Sequence, residues 1–213
     1  MTRRIDPERL AVLVHEVRSP VAALQAIAAT LADGSVDDSS RRELARLAIA
    51  ACSAIERVVL DASLTSIRRA EVDVGALARD AAAAAAVGGA RVEALVAPDL
   101  PPVSGDVLRL RQALDNLVSN AVVHAGANAG IVIGASTWAG EVLLSVTDSG
   151  IGIPVAEHER IMESGVRLDV TRAGSGLGLA IVRAIVEAHG GRLLVESVLG
   201  EGATFTMALP AAE

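Results

Sequence analysis

One cysteine, Cys52, stands in 213 residues, so no disulfide forms within the chain and a reducing compartment is expected. Aromatic side chains are nearly missing: Trp138 and Phe205 are the only two, and tyrosine is absent. Platforms for stacking nucleic-acid bases are thereby excluded. Positive charge is also short. Against 26 acidic residues there are 19 basic ones, and the net charge of −7 has the wrong sign for a phosphate-backbone binder. No stretch approaches the roughly 18 consecutive apolar residues of a spanning helix. The longest bland run, Ala81 to Val87, is far too short. Met1-Thr-Arg-Arg reaches Asp6 and Glu8 before any apolar stretch, so a signal-peptide core is lacking. There is no internal repeat. These absences predict a cytoplasmic protein with neither nucleic-acid nor membrane contact.

What is present is apolar but mostly alanine. Hydrophobic residues make up 52% and charged residues 21%, with a mean hydropathy of +0.47 in 21.7 kDa. That is one large domain or two small ones with a real core. In residues 7 to 33, Leu10, Val14, Val17, Val21, Leu24, Ala28 and Leu31 recur at intervals of four and three, the seam of a bundled helix. Asp33-Gly34-Ser35 breaks it. After the capping residues Asp37 to Ser40, the same spacing returns in Leu44, Ala48, Ala51, Ile55, Val58 and Ala62. Two such helices leave too much seam uncovered, so the spacing predicts a homodimer closing a four-helix bundle.

From about Glu71 short strands alternate with helices. Strands are predicted over 91–96, 130–136, 141–147, 192–197 and 203–209, and helices over 74–86, 106–125 and 177–188. The last helix ends at His189-Gly190-Gly191, where glycine takes the left-handed cap. Strands joined by short turns imply a mixed sheet. The predicted class is α+β: a helical hairpin over 1–70 that forms the dimeric bundle, then an α/β sandwich over 71–213.

His15 lies one residue past the seam position Val14, on the solvent-reachable flank, with Arg18 and Ser19 stacked on its face. Pro20 removes the hydrogen bond to the Glu16 carbonyl and introduces a bend. Taken alone, this is a surface histidine on an amphipathic helix. As a segment, His15-Glu-Val-Arg-Ser-Pro20 resembles the phosphoacceptor box of bacterial sensor histidine kinases. The chemistry suits imidazole, nucleophilic when neutral, with an ordinary pKa of about 6.5. The resemblance implies that Glu16 orients the ring and accepts its other N–H proton. In the family the residue four after the histidine positions water when the protein also works as a phosphatase; here it is Ser19 where Thr or Asn is usual, a departure at the position on which that additional activity depends.

Three further signals follow in order. Arg111 to His124 is a helix with Asn116 and Asn120 four apart on one face, amide oxygens suited to Mg²⁺. Asp148-Ser-Gly150-Ile-Gly152 follows a strand; its carboxylate suits an adenine amino group, and its glycines allow close approach of a ring. Gly174-Ser-Gly176-Leu177-Gly178 opens a helix whose N–H groups suit phosphates. Each alone is an ordinary surface feature. Together they resemble the ATP-binding domain shared by histidine kinases, type II topoisomerases, mismatch-repair ATPases and heat-shock chaperones. The tail from Leu177 through His189-Gly-Gly to Gly202-Ala-Thr-Phe is similar to the histidine-kinase branch.

That resemblance implies Mg²⁺ on Asn120 with help from Asn116, and ATP in a site lined by Asn116, Asn120, His124, Asp148, Gly150, Gly152, Gly174, Gly176, Leu177 and Gly178. Arg167, in a lid between Gly152 and Gly174, would meet the charge on the γ-phosphate, with Arg172 as the weaker candidate. A response-regulator receiver domain is the implied partner. Two positions depart from the family: Val123 replaces a lysine, and Met162 and Gly165 replace lid phenylalanines. These departures support a second reading, a phosphotransferase or pseudokinase relay or scaffold with weak or no ATP turnover; Asn120, Asp148 and the glycine loop oppose it. An ATPase or protein-serine kinase on the same fold would leave His15 without a purpose. With fourteen residues ahead of His15, no sensor domain or membrane anchor is expected in this chain.

Overall fold

The computed structural model describes residues 7–32, 36–64, 67–126, 129–162 and 178–212, with the side chains of residues 7–13, 15, 53, 56, 57 and 59–64 outside that description. The seam spacing gives two long helices, α1 (Pro7–Ala32) and α2 (Asp38–Leu64), packed as a hairpin. α2 starts where Asp37 Oδ1 accepts the Ser39 and Ser40 N–H groups at 2.8 and 2.9 Å. Those bonds, with the two serine hydroxyls, lower the Asp37 pKa to about 2. α1 runs unbroken through Pro20. Its sheltered residues are Val17, Pro20, Leu24 and Ile27, whereas Val14, Val21, Ala28 and Leu31 stay exposed. The expected single seam is therefore two adjacent stripes, one facing α2 and one open along Val14, Val21 and Ala28; Leu31, seven residues after Leu24 on the sheltered row, is exposed at the last turn of the helix.

Beyond the hairpin the order is β1 (Ala70–Val72), α3 (Val74–Val87), β2 (Val92–Val96), β3 (Val103–Gly105), α4 (Val107–His124), β4 (Ile131–Trp138) and β5 (Glu141–Asp148). Two single 3-10 turns follow, Val155–Glu157 and Arg160–Met162, and then α5 (Gly178–Ala188), β6 (Arg192–Val198) and β7 (Gly202–Pro210). Five strands form one mixed sheet in the order β2-β4-β5-β7-β6, with β2 parallel to β4 and the other pairs antiparallel. β1 and β3 make a separate antiparallel pair, too short to show a period in the sequence. Among the described residues, every strand and helix expected in this half is present within a few residues of its expected ends.

One face of the sheet is covered by helices. Leu110, Leu114 and Leu117 of α4, Ile185 of α5, Ile133 of β4, Leu144 of β5 and Met207 and Leu209 of β7 are fully buried there. Their spacing explains the elements: three and four apart on the helices, two apart on the strands. This layering brings the C-terminal half of α4 beside the end of β5 and the start of α5.

Candidate active site

The inward side chains of β5 are Val142, Leu144 and Val146, and the next member of that row is Asp148. A carboxylate thus ends a row of core residues with 9% of its surface exposed. Burial raises its pKa above the ordinary carboxylate range, although the N–H groups of Gly150 and Ala203 and the charge of His124 pull the other way. The Gly150 N–H donates to Asp148 Oδ1 at 2.8 Å. A buried acid held in this way is matched to a ligand that donates to it.

The loop after Asp148 is wedged into place. A Cβ on Gly150 would stand 2.4 Å from Ala125 Cα at the end of α4, and one on Gly152, at φ +67°, would stand 2.0 Å from the Val198 carbonyl oxygen. Only glycine allows either approach. The sequence pattern marked both glycines but not their neighbours Ala125 and Val198, which belong to distant elements.

On α4, Asn116 and Asn120 flank the buried stripe of Ala113 and Leu117 and are themselves half-buried. Asn116 Nδ2 is buried without a hydrogen-bond partner among the described residues. A bound acceptor, or an amide flip presenting its oxygen to a cation, would complete it. A Cβ at Gly178, the first residue of α5, would lie 3.4 Å from Asn120 Oδ1, so the helix after the glycine loop begins against this asparagine. His124, one turn on, is exposed.

The structure therefore brings Asn116, Asn120, His124, Asp148, Gly150, Gly152 and Gly178 together. Arg167, Arg172, Gly174, Gly176 and Leu177 lie outside the described residues. Glu16 and Ser19 are exposed on α1, and His15 lies on the same helix with its side chain outside the description. Where aromatic lid anchors are replaced, Ile161 is buried and Met162 packs against the core, an anchorage the sequence did not signal. No group of three or more His, Cys, Asp or Glu able to hold a metal occurs among the described residues. The donor set at α4 is amide oxygen, which fits a hard ion that takes its remaining ligands from phosphates and water.

The family described as Histidine kinase-, DNA gyrase B-, and HSP90-like ATPase matches residues 105–213, just over half of the chain and all of the assembled site. The chain belongs to this family. Along 94% of its length it is 33% identical to the adaptive-response sensory kinase SasA of Synechococcus sp. (strain JA-3-3Ab), of which it covers 58%. It is also 33% identical, over 92% of its length, to the sensor-like histidine kinase SenX3 of Mycobacterium tuberculosis (strain ATCC 25618 / H37Rv), of which it covers 52%. The chain thus spans little more than half the length of these curated relatives. Full-length ShkA, solved in complex with AMPPNP, superposes on 98% of the chain with a TM-score of 0.69 and 32% identity, the match covering 46% of ShkA. The mycobacterial sensor histidine kinase MprB matches 68% of the chain and 98% of its own, with a TM-score of 0.59 and 28% identity. Both ShkA and the two curated relatives align with the helical hairpin as well as with the ATPase-family sandwich, since each match exceeds nine-tenths of the chain.

Proposed function

We propose that this chain is the core of a two-component histidine kinase, which transfers the γ-phosphoryl group of ATP to His15 and then to an aspartate of a response-regulator receiver domain. The observation that carries this is the gathering of Gly178 against Asn120 and of the Asp148–Gly150 loop against Ala125, all at the C-terminal half of α4, in a chain that also carries His15-Glu16 on a helical hairpin. The working division is a phosphoacceptor and dimerisation region over 1–70 and an ATP-binding region over 71–213. ATP would place its adenine amino group on the Asp148 carboxylate and its ring over Gly150 and Gly152. Gly174, Gly176, Leu177 and Gly178 would present backbone N–H groups to the phosphates. Magnesium, held through Asn120 and Asn116, would supply charge neutralisation between the phosphates.

In the transfer, a neutral ring nitrogen of His15 attacks the γ-phosphorus. An N–P bond forms, the bond from phosphorus to the ADP oxygen breaks, and Glu16 accepts the proton of the other ring nitrogen. Arg167 would stabilise the charge on the transferring group. Positioning supplies most of the acceleration, which is why a buried, pre-oriented base pocket matters. The open stripe of Val14, Val21 and Ala28 supports a homodimer, in which a second hairpin covers it. Ser19 is the residue through which a phosphatase activity would act. No helix among the described residues is long and apolar enough to cross a membrane, and a cytoplasmic site of action fits the partner chemistry.

Incubation with Mg²⁺ and γ-labelled ATP tests the reading. Acid-labile, base-stable label that chases onto a receiver-domain aspartate is expected. Acid-stable phosphoserine, or no label on a protein that binds ATP tightly, would sink it, the latter in favour of a relay or scaffold.

A further inference from the structure

Ser197 of β6 takes no part in the chemistry above, yet it is buried and both its hydrogen-bonding roles are filled across the chain. Its Oγ accepts the Ile153 N–H at 2.8 Å and donates to the Gly202 carbonyl at 2.6 Å. Ile153 is the residue directly after Gly152. Its carbonyl in turn accepts from His158 Nε2 at 3.2 Å, so the peptide leaving the base pocket is held on both sides. The β6–β7 turn touches the same loop twice more. The Gly200 N–H donates to the Ile151 carbonyl at 2.7 Å, and a Cβ on Gly202 would fall 2.0 Å from the Asp148 carbonyl oxygen.

Register puts these contacts in one line. Ser197 pairs with Ala203, and Ala203 pairs with Asp148, so hydroxyl and carboxylate share a row across β6, β7 and β5. The N–H of Ala203 also helps hold the Asp148 carboxylate. We infer that Ser197 is a positioning residue for the nucleotide site: its hydroxyl locks the 149–153 loop to the β6–β7 turn and so keeps the base pocket formed before ATP arrives. The inference rests on the nucleotide reading of the Asp148 loop. Without the hydroxyl, the Ile153 N–H and the Gly202 carbonyl lose their partner; Ser149 and Gly150 stay bonded to Gly130 and Asp148, but the Ile153 end of the loop keeps only the Gly200 and His158 bonds. Pre-organisation, not a ligand contact, is what is lost.

Amide hydrogen exchange on the nucleotide-free protein, paired with calorimetric titration of adenosine and of Mg-ATP, decides it. In the wild type the Ile153 amide is expected to exchange at least ~100-fold more slowly than in an unstructured chain, because it is bonded inside the fold. Exchange at the unstructured rate overturns the inference whatever the variants do. Ser197→Ala is expected to lose that protection while Leu144 and Met207 keep theirs, and to weaken adenosine and ATP alike by about ten-fold, the scale of one to two lost hydrogen bonds. Ser197→Thr, which retains the hydroxyl, is expected to recover most of both. Wild-type affinity in Ser197→Ala overturns the positioning role alone. A wild type that binds neither adenosine nor ATP overturns the nucleotide reading, and this role with it.

Discussion

Asp148 shows how one buried carboxylate carries a cost in the fold. Its folded pKa is raised, chiefly by burial, so the native state holds its proton more tightly than the unfolded chain. Stability is therefore greatest where both states are protonated. It falls as pH rises from the unfolded value of about 3.9 through the higher folded value. Asp148→Asn is expected to melt at a higher temperature than the wild type at pH 7, and the gap is expected to close towards pH 3 in thermal scans without nucleotide. The same variant is expected to bind ATP about 10- to 100-fold more weakly by calorimetry, the scale of a hydrogen bond to a charged group. Asp148, Gly150 and Gly152 were legible in the sequence because a strand followed by a carboxylate and two glycines is a local pattern. Ser197 and Ile161 were not, since their significance comes from partners on other elements.

Among elements, the helices and long strands were legible because burial repeats along them with a fixed period, as in Leu110, Leu114 and Leu117 on α4 and Val142, Leu144 and Val146 on β5. β1 and β3, of three residues each, have no period to display. The α1 seam was legible as apolar spacing, but its division into two stripes was not, because both lie within about one turn's arc and only packing against α2 separates them. That division has a consequence. Val14 is 49% exposed and Val21 37% on the open stripe, whereas Ile27, on the α2 side, is 8% exposed. Val21→Glu is expected to shift the protein from dimer to monomer in sedimentation equilibrium while leaving the β-rich circular dichroism of the sandwich unchanged. Persistence of the dimer would place the interface elsewhere.

At the scale of the whole molecule, residues 67–69, the described part of the connection between hairpin and sandwich, are tied down. Arg68 N–H donates to Asp106 Oδ2 at 3.1 Å, and the Arg69 guanidinium donates to the carbonyls of Ser104 and Ala188 at 3.1 and 3.2 Å. Burial alone would raise the Asp106 pKa, but the N–H groups of Arg68, Arg109 and Leu108 and the Arg109 charge outweigh it and hold the group below its ordinary range. Asp106 also caps α4, and its own N–H donates to Nε2 of the buried His189 at 2.9 Å. His189 Nδ1 lies 2.7 Å from the Ile185 carbonyl, a pattern that fits the neutral ring with its hydrogen on Nδ1. The start of α4, the end of α5 and the incoming linker thus share one polar knot. His189→Ala leaves the Asp106 N–H buried without a partner and opens a cavity. It is expected to cost about 2–4 kcal/mol in urea unfolding of the sandwich, and an unchanged midpoint would remove His189 from this role.

The central claim is that the nucleotide site of the sandwich acts on a histidine of the hairpin. Label incorporation from γ-labelled ATP in wild type, His15→Gln and Asn120→Ala, with nucleotide affinity measured on the same samples, tests it most directly. The expected result is loss of label in both variants, with ATP affinity retained in His15→Gln and lost in Asn120→Ala. Wild-type labelling in His15→Gln would contradict the account.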